Sequence, residues 1–243
     1  MIGQVSTQLL KTKRRLAMQE KMFGLILSFT LACMILGIKV SDAAMVLPKP
    51  SLDGKVSVER AIQQRRTIRD FKETPLSIPH LSQLLWAAQG ITDPKGLGRS
   101  APSGGARYPL DIYVIVGKKG VEGLGEGVYH YAPENHSISS IDKKDLRREI
   151  GLDSLGQMWM AGAPVMFVIT AEYQRITRRY GERGIRYAQI EVGHVGQNLF
   201  LQAEALGLGA GIVGAFNDAE VVRVMGIPRE HEPLLIMPVG YKD

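Results

Sequence analysis

Apolar residues recur along the chain with two periods, one helical and one strand-like. SVERAIQQRR (57–66) places Val58, Ala61 and Ile62 at helical spacing behind Ser57, a side chain suited to capping. SIPHLSQLLWAAQG (77–90) repeats the design, with Ser77 before it and Gly90 as its stop. DIYVIVG (111–117) and PVMFVITA (164–171) are short unbroken apolar runs and predict buried strands. GVYHYAPENHSISSI (127–141) alternates around Pro-Glu-Asn and predicts a hairpin. KKDLRREIG (143–151) and LGQMWMAG (155–162) read as helical. Residues 181–209 open a long helix, apolar at Val192, Val195, Leu199, Ala203 and Leu206. It is rich in small residues (Ala188, Gly193, Gly196, Ala203) that admit a neighbouring helix or subunit. A short strand-like segment (210–216), a helix over 218–226 capped by Asp218, and a final strand over 233–241 complete the pattern. Helices and strands interspersed with a hairpin predict a mixed-sheet sandwich rather than a regular βαβ array.

The first 43 residues follow a different pattern. A basic region (Lys11, Lys13, Arg14, Arg15, Lys21) precedes MFGLILSFTLACMILGIKV and then SDAAM. That is the arrangement of an export signal cleaved after Ala43. The apolar run, about 18 residues, is also long enough to span a bilayer uncleaved. Residues 1–43 are therefore expected to be an export signal or a membrane anchor, and 44–243 the folded domain. A domain exported to the periplasm or held at the membrane follows, with a cytoplasmic one only if the start lies further along. The basic flank favours a domain on the outer side.

The leader also changes the charge balance. It holds six basic residues (11, 13, 14, 15, 21 and 39) against Glu20 and Asp42, so +4 of the chain's formal +6 belongs to it. The remainder is nearly neutral, which argues against a nucleic-acid partner. Cys33, the single cysteine, lies in the leader. The remaining residues thus exclude a disulfide framework, a thiolate metal site and a cysteine nucleophile, and redox chemistry would need a cofactor.

Three motifs invite a functional reading. Gly209-x-Gly211-x-x-Gly214 matches the dinucleotide fingerprint literally. That fingerprint follows a strand and opens a helix; here a helix precedes it and a strand-like segment runs through it. It reads instead as a helix stop and a tight backbone segment that can face a ligand. Glu191-x-x-His194 is half of a di-iron carboxylate pattern and has no second copy. A helix-packing role for His194, bonded to Glu191 or Asn198, is the expectation, and no metal site. RRTIRDF (65–71) gathers Arg65, Arg66 and Arg69 with Thr67 where the first helix ends. It is either a solvated basic turn or an anion site, because a guanidinium fork suits phosphate.

Four segments together, RRTIRDF, APSGGARYPLDIYVIV (101–116), RYGERGIRYAQIEVGHVGQNLFLQAEALGLGAGIVGAF (179–216) and PLLIMPVGY (233–241), resemble the nitroreductase family of flavoproteins, in its SagB-type (ThcOx-like) dehydrogenase branch. They occur in the family's order across residues 57–241. The resemblance implies an α+β three-layer sandwich, with a central mixed but mainly antiparallel sheet between helices. It implies an intertwined homodimer with FMN at the subunit interface. Arg65, Arg66, Thr67 and Arg69 would hold the flavin phosphate and ribityl chain, with Arg69 also near N1. Pro102, Ser103, Gly104, Gly105 and Ala106 would reach the partner's flavin. Ile212, Val213 and Gly214, with Ala215, would lie near the reactive edge, and Lys242 would assist the phosphate. The implied activity is ping-pong oxidoreduction, with NADH or NADPH as a donor and a nitro compound, quinone or other small molecule as substrate. The alternative is a protein that binds FMN without turnover. Azoline-oxidising members are similar to each other in a Lys-Tyr pair; here the match is Arg179-Tyr180. Arginine is a poor base, which argues for another substrate and leaves Tyr180 as a proton donor or stacking group.

Overall fold

The computed structural model describes residues 44–93 and 95–243. Seven strands, β1 (Met45–Val46), β2 (Leu110–Val116), β3 (Gly127–Ala132), β4 (Ser137–Asp142), β5 (Val165–Ala171), β6 (Leu208–Ala210) and β7 (Glu232–Tyr241), form one sheet in the order β1-β4-β3-β2-β5-β7-β6. Every pairing between these strands is antiparallel. Among the described residues, parallel contacts occur only as isolated bridges, Thr67 with Ala210 and Leu76 with Val121. The mainly antiparallel central sheet expected is what forms.

Among the described residues, six helices flank it: α1 (Val58–Gln64), α2 (Ile78–Gln89), α3 (Arg147–Asp153), α4 (Gln174–Tyr180), α5 (Arg183–Ala205) and α6 (Asp218–Met225). β2 and β5 are buried along their whole length, which is why they carry unbroken apolar runs. Their side chains alternate between two cores. Ile112, Val114, Phe167 and Ile169 join the core beneath α2 and α5. Tyr113, Ile115, Met166 and Val168 join the one that includes Ile150 of α3 and Val221 of α6. Two cores on opposite faces of one sheet make the three layers of an α+β sandwich.

Local chemistry sets most helix boundaries. Ser57 and Ser77 cap α1 and α2 by accepting the amides of Arg60 and His80. The cap of α6 is Asn217, which accepts from the Glu220 amide, rather than the expected Asp218, which is already helical. Residues 143–146 stay outside α3. The Asp145 carboxylate there accepts the Lys118 and Arg147 amides, tying the helix start to the loop after β2. LGQMWMAG contributes a 3-10 turn at Met158–Gly162 in place of an α-helix. The small residues of α5 serve mainly its own sheet: a Cβ on Gly196 would stand 2.9 Å from Leu235, and Ala188 and Ala203 are buried. Gly193 alone of the four faces open space.

Candidate functional site

Helix α1 ends because Arg65 turns extended (φ −50°, ψ 125°). The chain then runs beside β6, with Thr67 bridged to Ala210 and the Ile68 amide donating to the Ala210 carbonyl at 2.9 Å. Arg65 lies over the Phe200 ring at 5.0 Å, and Arg69 over Trp159 at 5.6 Å. Arg66 donates to the Gln63 and Arg65 carbonyls. Among the described residues, none of these three arginines has a carboxylate partner. Aromatic faces and carbonyls hold the guanidiniums without cancelling their charge.

The segment after β6 packs tightly against the same stretch. A Cβ on Gly209 would collide with Ile68, and one on Gly211 with Trp159 and the Ile68 carbonyl. Gly209 and Gly211 are there for close packing, which accounts for two of the three glycines that mimic a dinucleotide fingerprint. The amides of Gly211 and Val213 donate to Pro238 and Ile236. Between them Ile212 is 40% exposed, and Gly214 has open space around it. Lys242 reaches the same end of the fold through its bridge to Phe71, but its ammonium is held by both oxygens of Glu204 at 2.8 and 2.9 Å.

The glycine segment forms a second cluster. Pro102 is exposed, and Gly104–Ala106 make a 3-10 turn. Gly105 (φ +60°), Ala106 (φ +52°) and Tyr108 (φ +46°) all occupy the left-handed region, which is costly for the latter two. The turn is pinned by the Tyr108 amide, which donates to Ser103 Oγ at 2.8 Å, and by Arg99 stacked on the Tyr108 ring at 4.3 Å. Gly104 packs on Ile176 and Tyr187, and Gly105 faces the Tyr180 hydroxyl. Tyr180 in turn meets Tyr187 edge-on at 5.2 Å and carries Arg179 over its ring at 5.5 Å. The structure thus brings Tyr180 and the glycine segment together.

Glu191 lies behind this cluster and only 2% exposed. Gln89 Nε2 donates to its Oε1 at 3.4 Å, and Oε2 makes no hydrogen bond among the described residues. Burial pushes its carboxyl up to about 7, against the opposing pull of Ser103, Gln89 and Arg99. The expected partnership with His194 does not form. Glu191 faces inward while His194 is exposed, and Asn198 donates to the Ala87 and Ser100 carbonyls. No group of metal-ligating side chains occurs among the described residues. The signal for Glu191 was present in the sequence: it stands on the same helical stripe as Ala188, Val195 and Leu199, the one acid in an apolar row.

The two clusters sit at opposite ends of α5. Tyr187 meets the glycine segment, while Phe200 and Glu204 meet the arginine segment and Lys242. At ~1.5 Å per residue, Tyr187 and Phe200 are about 20 Å apart along the helix.

Residues 62–241 match the nitroreductase family. The chain belongs to that family. It is 45% identical over 198 residues to a protein of Methanocaldococcus jannaschii named a nitroreductase, covering 82% of this chain and 97% of that one. It is 29% identical over 172 residues to the microcin B17-processing protein McbC of Escherichia coli, covering 68% of this chain and 62% of McbC. Among solved structures, a nitroreductase of Ralstonia eutropha JMP134 superposes with a TM-score of 0.71 at 26% identity, over 85% of this chain and 92% of that one. The nitroreductase family is a family of oxidoreductases. The arginine segment, the glycine segment and the turn after β6 all lie within the matched region.

Proposed function

We propose that this nitroreductase-family chain is an FMN-dependent oxidoreductase that works as a homodimer. The observation that carries the reading is the trio of arginines at 65–69, anchored yet uncompensated, at the same end of the fold as the exposed Ile212 and the open Gly214. The donor set fits a phosphorylated flavin. Guanidinium forks from Arg65, Arg66 and Arg69 with the Thr67 hydroxyl suit a phosphate and ribityl chain. Ile212 and Gly214 offer backbone close to where a ring would lie, whereas Val213 is buried with its N–H and carbonyl both paired to Ile236, and Lys242 joins the phosphate only by leaving Glu204. When bound, FMN supplies hydride transfer and holds electrons between a donor, such as NADH or NADPH, and a small organic acceptor such as a nitro compound or quinone.

The chain's own contribution is to bind, orient and exclude water. A second copy would bring its residues 102–106 to the arginine end of the first, uniting clusters that one α5 keeps apart. The outward face of α5 suits such a partner, with Ile190 52% exposed and Gly193 open. Tyr180, against the glycine segment, would then stand close to substrate as a proton donor or stacking surface. Arg179 keeps its proton, so abstraction of a substrate proton by that side chain is not part of the reading. We further propose that residues 1–43, which lie outside the described residues, deliver or anchor the domain at the outer side of a membrane.

The test is a visible spectrum of the purified chain after incubation with FMN, before and after NADH or NADPH. Stoichiometric yellow protein that bleaches with the nicotinamide supports the reading. Colourless protein that takes up no FMN overturns it, and bound flavin that no donor or acceptor turns over leaves a binding protein.

A further inference from the structure

A cavity of about 400 Å3 opens beside the residues that follow the glycine segment. Its wall is made by Arg107 and Tyr108, the first residues of β2, the turn after β3, Arg99 and Arg175 of α4. The volume lies in the range of small-molecule sites, roughly 300–1,000 Å3. Tyr108, Ala132 and Pro133 bring part-exposed apolar surface to it, and Arg99, Arg107 and Arg175 bring three guanidiniums.

The charges at this wall do not balance evenly. Asp111 is engaged by His130 Nε2 at 2.9 Å and by Arg175 at 2.7 Å, and Arg175 also holds Glu172 at 2.6 Å. Arg107 has no carboxylate partner among the described residues. It stands between Ala106 (φ +52°) and Tyr108 (φ +46°), so the backbone places it there rather than an ion pair of its own. Arg99 is the opposite case. Its side chain is 13% exposed, stacked on the Tyr108 ring at 4.3 Å, with Nη1 donating to Gln89 Oε1 at 3.4 Å. Nη2 donates to Glu134 at 3.0 Å, yet Glu134 is 64% exposed, on the short Pro133–Asn135 turn. A built-in cation thus has a surface acid as its partner. Such a pair contributes little, because the acid gives up freedom to keep it and loses little by returning to water.

We infer that this cavity binds a small organic acid, one carboxylate on an apolar body. Arg107 and Nη2 of Arg99 hold the carboxylate, and Glu134 is the internal carboxylate that the ligand displaces. Guanidinium groups suit a carboxylate through paired N–H donors. The surface of Tyr108, Ala132 and Pro133 gives the apolar body a place to lie. Asp111, already taken by His130 and Arg175, keeps those two cations from competing for the ligand. The site requires neither a bound flavin nor a second copy of the chain, so it stands apart from the reading above.

The experiment titrates the full-length chain, as purified, with cyclohexanecarboxylate, whose saturated ring cannot stack on a flavin as a flat one would. Binding is followed by calorimetry and by NMR shifts of the Tyr108 amide and the His130 ring. Cyclohexanecarboxamide, which keeps the body without the charge, and acetate, which keeps the charge without the body, should each bind at least roughly tenfold more weakly, as should inorganic phosphate. Arg107→Gln, an exposed change with no partner to lose, should weaken the acid at least roughly tenfold with an unaltered melting curve. Glu134→Gln should tighten it roughly 2- to 5-fold, the size of one exposed ion pair. Absence of binding, equal binding of the amide or of phosphate, an affinity indifferent to Arg107→Gln, or shifts centred away from Tyr108 and His130 each overturns the inference. Affinity that stays the same or falls in Glu134→Gln overturns the displacement of Glu134.

Discussion

Gly105 combines two constraints that can be separated by substitution. Its φ of +60° disfavours any side chain, and a Cβ there would press on the Tyr180 hydroxyl. Gly105→Val is expected to cost about 1–3 kcal/mol of stability and to abolish FMN uptake. Gly105→Ala with Tyr180→Phe should recover part of both losses, as read by denaturant melts and flavin absorbance. At the other cluster, Arg65→Ala with Arg69→Ala should lower FMN affinity at least tenfold while leaving the far-ultraviolet circular dichroism unchanged. Glu191 adds a pH signature. Its folded pKa of about 7 lies above the ordinary 4.5, so the native state holds the proton more tightly than the unfolded chain. The cost of its burial is absent below pH 4.5, grows as pH rises through the window to about 7, and is then constant. Glu191→Gln should therefore gain about 3 kcal/mol relative to wild type between pH 4.5 and 7.5, on the scale of ~1.4 kcal/mol per pKa unit. A parallel pair of stability-pH curves would contradict this.

The helix and strand boundaries divide cleanly by the kind of signal that sets them. Where a boundary depends on one side chain and its nearest amides, the sequence carries it: Ser57 and Ser77 cap as their spacing predicts, and the apolar runs of β2 and β5 are strands buried on both faces. Where tertiary contact decides, local pattern is silent. α4 has a single buried residue, Ile176, among polar neighbours and so shows no apolar period. β1 is two residues long and exists through its pairing with β4. At α6 two adjacent residues can cap, and extended backbone at Asn217 selects it over Asp218. Asn217→Ala should thus cost about 1 kcal/mol and Asp218→Ala well under that, measured by urea unfolding. Phe167→Ala, in the centre of β5, should cost about 3–5 kcal/mol.

On the scale of the whole molecule, the arginine and glycine segments were both visible in the sequence, as clusters of residues whose types suit an anion and a close approach. Their separation was not, because it depends on which end of α5 each segment docks against. Tyr180 illustrates the same divide: its type was noticed, but its place against Gly105 needs the fold of α4 back onto the loop. The resulting geometry has a thermodynamic consequence. If a bound ring must touch the arginine end of one chain and the glycine end of another, cofactor and subunit bind as linked equilibria. Each flavin then works as a cross-link, and diluting the protein should release it even at fixed free FMN. Apparent cofactor affinity would depend on protein concentration, whereas in a self-contained protomer it would not.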